Sequence, residues 1–226
     1  MKLYGMALLS ALLIAGCNQT SAPVAPPTAV VEAPVMGPER HILALGDSLF
    51  AGHGVKPSES YPAKLELALR AHGVNARIAN AGVSGDTTGD GLARLAFTLG
   101  SQPQAPDLVI ISLGGNDMLR GLAPEQTKSN LEAIVSELGR RKIPVVLMGM
   151  LAPPNLGADY RGKFDGIYPA LAQQHHVSLV PFFLKAVIDK PDLVQADHIH
   201  PTARGIDEIV AATTYAVEGE LVEVAK

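Results

Sequence analysis

Short apolar runs alternate with longer amphipathic stretches along most of this 226-residue chain. The apolar runs predict buried strands of a parallel sheet, and they lie at residues 42–45, 76–80, 107–113, 145–150 and 177–180. Apolar residues at helical spacing, bounded by Pro, Gly, Ser or Thr, predict helices between them. These helices are expected at 60–73, 92–99, 124–141, 160–175 and from 202 onward, with a helix or two turns at 181–193.

This alternation of strands and helices predicts an α/β fold, with a parallel sheet covered by helices on both faces. The sequence shows no internal repeat and no second domain. We expect one folded domain over residues 39–226, which is long enough to bury a core without disulfides. In such a sheet the loops that follow the strands gather at one edge, where open α/β sheets bind ligands.

The first residues predict a signal peptide rather than part of the fold. Lys2 precedes an apolar run at 6–15, which is too short for a comfortable membrane span of ~20 residues. The run ends at Cys17, the only cysteine of the chain. Small residues directly before a cysteine resemble the lipobox of bacterial lipoprotein signal peptides. This resemblance implies a signal peptide at 1–16 and a lipidated Cys17, and the alternative is an ordinary secretory signal.

Residues 17–38 are rich in Pro, Ala, Val and Thr and have no strand or helix period. We interpret them as an extended tether between the lipidated cysteine and the domain. Asn18, next to Cys17, is not the aspartate that resembles an inner-membrane retention signal. The predicted location is therefore the bacterial cell envelope. The protein is expected to be anchored to a membrane, with the outer membrane favoured, and to face the periplasm.

Composition narrows the function classes. The chain is 47% hydrophobic and 18% charged, and its formal net charge is −4. A nucleic-acid footprint would need a clustered basic surface, and a stacking platform for single strands would need more aromatic residues than 4%. We therefore expect no nucleic-acid partner.

Candidate chemistry begins where the first predicted strand ends. Gly46 permits a sharp turn there, and Ser48 then sits at the ligand-binding edge of the sheet. On this stretch alone, Ser48 is equally well interpreted as a nucleophile or as a helix N-cap.

Later residues supply what a serine nucleophile needs. Asp197 and His200 are three residues apart, so on a turn the carboxylate can bind one imidazole nitrogen and leave the other for Ser48. Gly85 can offer a bare backbone N–H, and Asn116 a side-chain amide, to an oxyanion.

Four motifs together resemble the sequence blocks of the SGNH (GDSL) hydrolases, in that family's order. They are Gly-Asp-Ser-Leu at 46–49, Ser-Gly-Asp-Thr at 84–87, Gly-Gly-Asn-Asp at 114–117 and Asp-His-Ile-His-Pro at 197–201. A closer similarity to the bacterial multifunctional thioesterase, arylesterase and lysophospholipase group rests on residues 80–81, 91–95, 167–169 and 181–183.

The resemblance implies a flavodoxin-like, three-layer α/β/α fold with a five-stranded parallel sheet. It also implies that Ser48 is the nucleophile, His200 the base and Asp197 the residue that orients His200. The oxyanion hole would consist of the Ser48 N–H, the Gly85 N–H and the Asn116 side chain. The implied reaction is hydrolysis of acyl esters or thioesters through an acyl-enzyme, with no cofactor.

Two positions in these blocks receive no chemical step. Asp47 is interpreted as structural. His198 takes a position that is often small in the family, so a local change of shape is expected. The loop 151–160, with its stiff Ala-Pro-Pro run, is expected to border the acyl site.

Several functions besides the esterase are compatible with parts of the sequence. Asp197, His198 and His200 with His175 and His176 could be metal ligands, but their spacing matches no zinc pattern, and we expect no metal. A nucleotide site lacks its glycine pattern. An envelope polysaccharide O-deacetylase and a catalytically idle envelope binding module both stay open.

The remaining histidines have no supporting context and are assigned to surface positions. They are His53, His72, His175 and His176. The expected partners are a small acyl ester or lipid substrate and, through the lipid anchor, a membrane, and the expected state is a monomer.

Overall fold

The computed structural model describes residues 35–223. The predicted signal peptide, the predicted lipidation site Cys17 and most of the predicted tether lie outside these residues. The tether's last residues already contact the domain, because the Gly37 carbonyl accepts a hydrogen bond from Asn75 Nδ2 at 3.2 Å. No helix within residues 35–223 has the length and apolar character needed to cross a membrane.

Strands and helices alternate, as the hydrophobic pattern predicts. The strands are β1 (Arg40–Gly46), β2 (Ala76–Gly82), β3 (Leu108–Ser112), β4 (Val145–Met148) and β5 (Ser178–Val180). The α-helices are α1 (Ser48–Ala51), α2 (Tyr61–Ala71), α3 (Thr88–Gly100), α4 (Gly115–Leu119), α5 (Pro124–Arg140), α6 (Ala158–Asp165), α7 (Ile167–His175) and α8 (Ala203–Glu223). Short 3₁₀ helices lie at Pro57–Glu59, Pro154–Leu156 and Pro191–Leu193.

All five strands are parallel, in the order β2-β1-β3-β4-β5. This is the flavodoxin-like order, in which the chain reverses its winding direction between β1 and β3. Helix α2 packs on α8, and α3 packs on α5. The predicted α/β fold, with a five-stranded parallel sheet and helices, is confirmed.

Strands β1, β3 and β4 form the centre of the core. Every residue of β3 and of β4 is buried, as are the last five residues of β1. Continuous burial is what a parallel sheet covered on both faces requires. The edge strands β2 and β5 are less buried. The carboxyl ends of β1 and β3 therefore project from a rigid base.

The structure corrects one predicted element and decides another. The helix expected at 160–175 is divided into α6 and α7 at Gly166. The cause is Pro169 in the first turn of α7, whose ring would clash with the Asp165 carbonyl in a continuous helix. At 181–193, where a helix or two turns are expected, the chain runs through successive turns into a short 3₁₀ helix, so the alternative of turns is the one that the structure shows.

Candidate active site

Ser48 is the first residue of α1 and is separated from the end of β1 by Asp47 alone. The N-cap interpretation of Ser48 is wrong, because Asp47 is the N-cap and its Oδ1 accepts a hydrogen bond from the Leu49 N–H at 3.0 Å. Gly46 is required here for close packing rather than for a positive φ. A Cβ at Gly46 would lie 2.7 Å from the Phe50 ring, so the glycine lets α1 fold back tightly against the strand.

The structure brings Ser48, His200 and Asp197 into one hydrogen-bonded line. His200 Nε2 lies 2.8 Å from Ser48 Oγ, and His200 Nδ1 lies 2.7 Å from Asp197 Oδ2. The serine and the histidine come from positions 152 residues apart. These distances are those of a serine activated by a histidine that a carboxylate orients.

Asp197 also shapes the loop that carries His200. Its Oδ1 accepts hydrogen bonds from the backbone N–H groups of Ile199, at 2.9 Å, and of His200, at 3.0 Å. The hydrogen bond from His200 and these two backbone bonds hold the pKa of the Asp197 carboxyl well below its usual range. The carboxylate is therefore ionised wherever His200 needs an acceptor.

Gln195 links this loop to the turn after α1, which sequence reasoning missed. Its Nε2 donates to the carbonyls of His53, at 2.8 Å, and Pro201, at 2.9 Å, while its backbone N–H donates to the His200 carbonyl at 2.7 Å. Gly54, with φ 73°, approaches so closely that a Cβ would lie 2.1 Å from Gln195 Oε1. No motif marks Gln195; only the fold shows its role.

Asn116 follows β3, beside the end of β1. Its Nδ2 donates to the Asp86 carbonyl at 2.9 Å and lies 3.4 Å from Asp47 Oδ2. An amide has two N–H bonds, so one hydrogen is held by the Asp86 carbonyl and the other makes the longer bond to Asp47, which a ligand oxygen can replace. Asn116 and Ser48 line the same cavity.

Gly85 lies in the turn between β2 and α3, with φ 89°. Its carbonyl accepts a hydrogen bond from the Arg120 guanidinium at 2.6 Å. Within residues 35–223, neither the Gly85 N–H nor the Ser48 N–H donates to another group. Gly85 is not among the cavity-lining residues, so its place in an oxyanion hole stays a prediction.

A cavity of about 490 Å³ opens beside Ser48, with mostly apolar walls. One wall contains Met150, Leu151 and Pro153, so the expectation that the 151–160 loop borders this site holds for its first residues. Another part of the wall is the irregular segment from Phe182 to Val194, of which the sequence motifs include only Phe182 and Phe183. A serine at the mouth of an apolar cavity suits an acyl substrate.

Residues 44–207 match the GDSL-like lipase/acylhydrolase family. The chain belongs to this family. That assignment covers most of the domain, including all the residues of the Ser48–His200–Asp197 line.

Individual relatives of this acylhydrolase domain agree with the assignment. The chain is 45% identical over 160 residues to an arylesterase of Vibrio mimicus, covering 71% of this chain and 79% of the relative. It is 40% identical over 160 residues to thioesterase 1/protease 1/lysophospholipase L1 of Escherichia coli K12, covering 71% and 74%. The crystal structure of AlinE4, an SGNH-hydrolase family esterase, aligns with a TM-score of 0.71 and 65% identity, covering 80% of this chain and 96% of that one.

Asp47 has an unusual environment within this acylhydrolase domain. Only 3% of its surface is exposed, and burial raises the pKa of its carboxyl to about 6, against the lowering effect of the Leu49 N–H and of nearby His200. Asp47 makes no hydrogen bond to His200 or Ser48, so its interpretation as structural agrees with its contacts.

Asp117, the last residue of the Gly-Gly-Asn-Asp block, is fully buried. Its carboxylate accepts hydrogen bonds from the Thr88 N–H at 2.8 Å, the Thr88 hydroxyl at 2.5 Å and the Thr127 hydroxyl at 3.2 Å. These bonds join α3, α4 and α5 behind Asn116. The sequence offered Asp117 only as part of a motif.

The structure does not bring together all the residues that the metal-ligand hypothesis names. His175 and His176 end α7, before β5 begins, and so lie at the opposite edge of the sheet from the strand ends. His198 adopts φ 60° beside the cavity. His53 is exposed, as predicted, but its ring centroid lies 4.3 Å from that of His200. Only His53, Asp197 and His200 offer clustered metal-ligating atoms within residues 35–223.

Proposed function

We propose that this family member is a serine esterase that hydrolyses carboxylic esters or thioesters of apolar acyl groups. The observation that carries the proposal is the continuous hydrogen-bonded line Asp197–His200–Ser48 at the mouth of an apolar cavity. Its relatives, an arylesterase and a thioesterase/lysophospholipase, support the same reaction class.

In the first half-reaction, Ser48 Oγ attacks the acyl carbonyl carbon while His200 Nε2 takes the hydroxyl proton. Asp197 holds the Nδ1–H of His200 and stabilises the imidazolium that forms. The carbon–oxygen or carbon–sulfur bond to the leaving group then breaks, and His200 returns its proton to the departing alcohol or thiol. The acyl group remains on Ser48.

In the second half-reaction, water attacks the acyl-enzyme and His200 again takes the proton. The carboxylic acid leaves, and Ser48 recovers its hydrogen. In both halves the charge develops on the carbonyl oxygen. The free Ser48 N–H, the Gly85 N–H and the second hydrogen of Asn116 Nδ2 are the proposed donors to that oxygen.

A nitrophenyl ester assay tests this function. Ser48→Ala should lower turnover by about three orders of magnitude or more while leaving the thermal unfolding midpoint unchanged. Ser101→Ala is a matched control, because Ser101 lies exposed at the end of α3. Near-wild-type turnover of folded Ser48→Ala would reject the proposal, and an inactive wild-type protein would favour the idle binding module.

We further propose that the mature chain is a lipoprotein of the bacterial envelope, tethered through Cys17. The support is the short apolar run before the only cysteine; stable attachment needs more than one acyl chain, which a lipidated N-terminal cysteine provides. Fractionation of cells with wild-type and Cys17→Ser proteins is the test. Identical distribution between soluble and membrane fractions would reject the anchor.

We also propose that the protein is a monomer, since the triad and the cavity described above are built from one chain. Light scattering of the Cys17→Ser protein, which removes the anchor, measures its mass. A dimer mass would reject this part alone.

A further inference from the structure

His53 lies beside His200, the proposed base, and has no role in the proposed esterase reaction. Its ring centroid lies 4.3 Å from that of His200, with 35° between the planes. Its backbone is held firmly, because its N–H donates to the Ser48 carbonyl at 3.1 Å and its carbonyl accepts from Gln195 Nε2. Its ring nitrogens make no hydrogen bond to any residue among 35–223, so they are available to a ligand.

Asp197 completes a set of three ligand atoms. One ring nitrogen of His53, one of His200 and one carboxylate oxygen of Asp197 all lie within 4.8 Å of one another. Tetrahedral zinc, with bonds of about 2.0–2.2 Å, needs ligand atoms roughly 3.3–3.5 Å apart. The exposed His53 ring makes only a tilted contact with the His200 ring, so it can move toward the ion. The Asp197 carboxylate oxygen, 2.7 Å from His200 Nδ1, must draw back by about 0.7 Å. Two imidazoles and one carboxylate are a ligand set that zinc accepts, with a fourth position for water.

We propose that His53, His200 and Asp197 form a binding site for Zn²⁺, and that zinc bound there inhibits hydrolysis reversibly. Zinc binding stands on these three side chains alone, whereas inhibition rests on the proposed function, in which His200 is the base. The site competes with catalysis and supplies no cofactor to it.

The chemistry of His200 explains the inhibition. Neutral imidazole has one N–H and one free electron pair, and in the resting site the N–H faces Asp197 while the pair faces Ser48. Asp197 lies on the Nδ1 side of the ring, so a zinc ion that binds both residues takes Nδ1. The neutral imidazole then carries its single hydrogen on Nε2, the nitrogen that must accept the Ser48 proton. Zinc binding therefore removes the general base.

The chain offers a close control in His198. It is two residues from His200, is exposed and borders the same cavity, yet it does not belong to the ligand cluster. His198→Asn keeps a side chain that tolerates its positive φ. If zinc bound any exposed histidine near the cavity, His198 and His53 would matter equally.

The binding test uses calorimetry with ZnCl₂ and full-length protein purified without a histidine tag. A Cys17→Ser background removes the thiol as a competing ligand, and Ser48→Ala removes turnover. We expect one zinc ion per chain. Adding His53→Ala should weaken binding at least 10-fold, and adding His198→Asn should leave it within twofold. Equal zinc affinity with and without His53 would overturn the site.

The inhibition test uses the active Cys17→Ser protein and a nitrophenyl ester. Zinc should inhibit, EDTA should restore the rate, and the half-inhibitory concentration should rise at least 10-fold in His53→Ala, each protein being compared with its own zinc-free rate. Equal inhibition of both proteins would overturn the inhibitory role. Because calorimetry needs no turnover, an inactive protein would reject the esterase proposal and leave the zinc site to be decided by binding.

Discussion

Asp197 binds His200 at two points, the ring through Oδ2 at 2.7 Å from Nδ1 and the backbone through Oδ1 at 3.0 Å from N. One carboxylate therefore sets both the orientation of the imidazole and the course of the chain that carries it. The charge of Asp197 and its hydrogen bonds to the backbone can be tested separately, because asparagine removes the charge but keeps an oxygen that accepts those bonds.

Asp197→Asn should lower kcat by about 10⁴-fold without unfolding the protein. The Asn oxygen can still accept the backbone N–H groups, but its NH₂ faces Nδ1 and selects the tautomer whose Nε2 carries hydrogen. That tautomer cannot take the Ser48 proton. Steady-state kinetics and thermal unfolding measure the two effects, with Asp192→Asn as a control at an exposed acid. A loss of less than 10-fold would contradict this role.

Asn116→Ala should lower kcat by about 10²–10³-fold and change KM little, because the amide hydrogen that makes the long bond to Asp47 acts mainly on the charged oxygen of the transition state. Nitrophenyl ester kinetics separate the two constants. Asn130→Ala is the matched control, since Asn130 Nδ2 donates to the Thr88 hydroxyl at 3.0 Å and lies outside the cavity lining. An unchanged kcat with a raised KM would make Asn116 a ground-state binding residue.

Asp47→Asn should change how stability depends on pH. The folded-state pKa of about 6 lies above the ordinary 3.8, so the contribution of Asp47 to stability is complete below pH 4 and is lost as pH rises through 6. That difference corresponds to about 3 kcal/mol. Asn cannot ionise, and its Oδ1 can still cap Leu49.

Urea unfolding of wild-type and Asp47→Asn proteins measures this effect. The unfolding free energy of the variant minus that of wild type should rise by about 3 kcal/mol from pH 3 to pH 8. Taking the difference cancels the titration of all other groups. A difference that stays constant with pH would show that Asp47 is not the titrating group.

Leu151→Trp should reduce kcat/KM for palmitoyl esters about 10-fold more than for acetyl esters, because the larger ring fills part of the cavity and a short chain does not need that space. Leu151 is 42% exposed, so the fold tolerates the change. A series of nitrophenyl esters from acetyl to palmitoyl is the measurement. Leu67→Trp, at an exposed leucine on α2, is the control; equal losses on all esters would contradict the assignment.

The sequence predicted the sheet well because each strand is a local signal. Buried parallel strands require continuous apolar runs, and the five runs are distinct. Helix ends were harder to predict. Pro169 fits the first turn of one helix or the middle of another, and only the packing of α6 and α7 distinguishes these two arrangements.

The site residues that belong to sequence motifs could be predicted. Those whose role depends only on contacts made in the folded chain could not. Ser48, His200 and Asp197 lie in blocks with recognisable spacing, and the structure brings them together. Gln195 and His53 have no motif, since their importance comes from contacts between segments about 142 residues apart. The second cavity wall was missed because its residues follow irregular turns without a period.

The 152-residue separation of Ser48 from His200 also has a consequence in time. A chain emerging from the ribosome presents its serine long before the histidine that must activate it has been made. The turn, the strand and the apolar wall at Met150 can all form in this period, yet no ester can be cleaved. A chain cut short before His200 would therefore carry the serine without its base, so the last segment has to fold onto the first before the line can form.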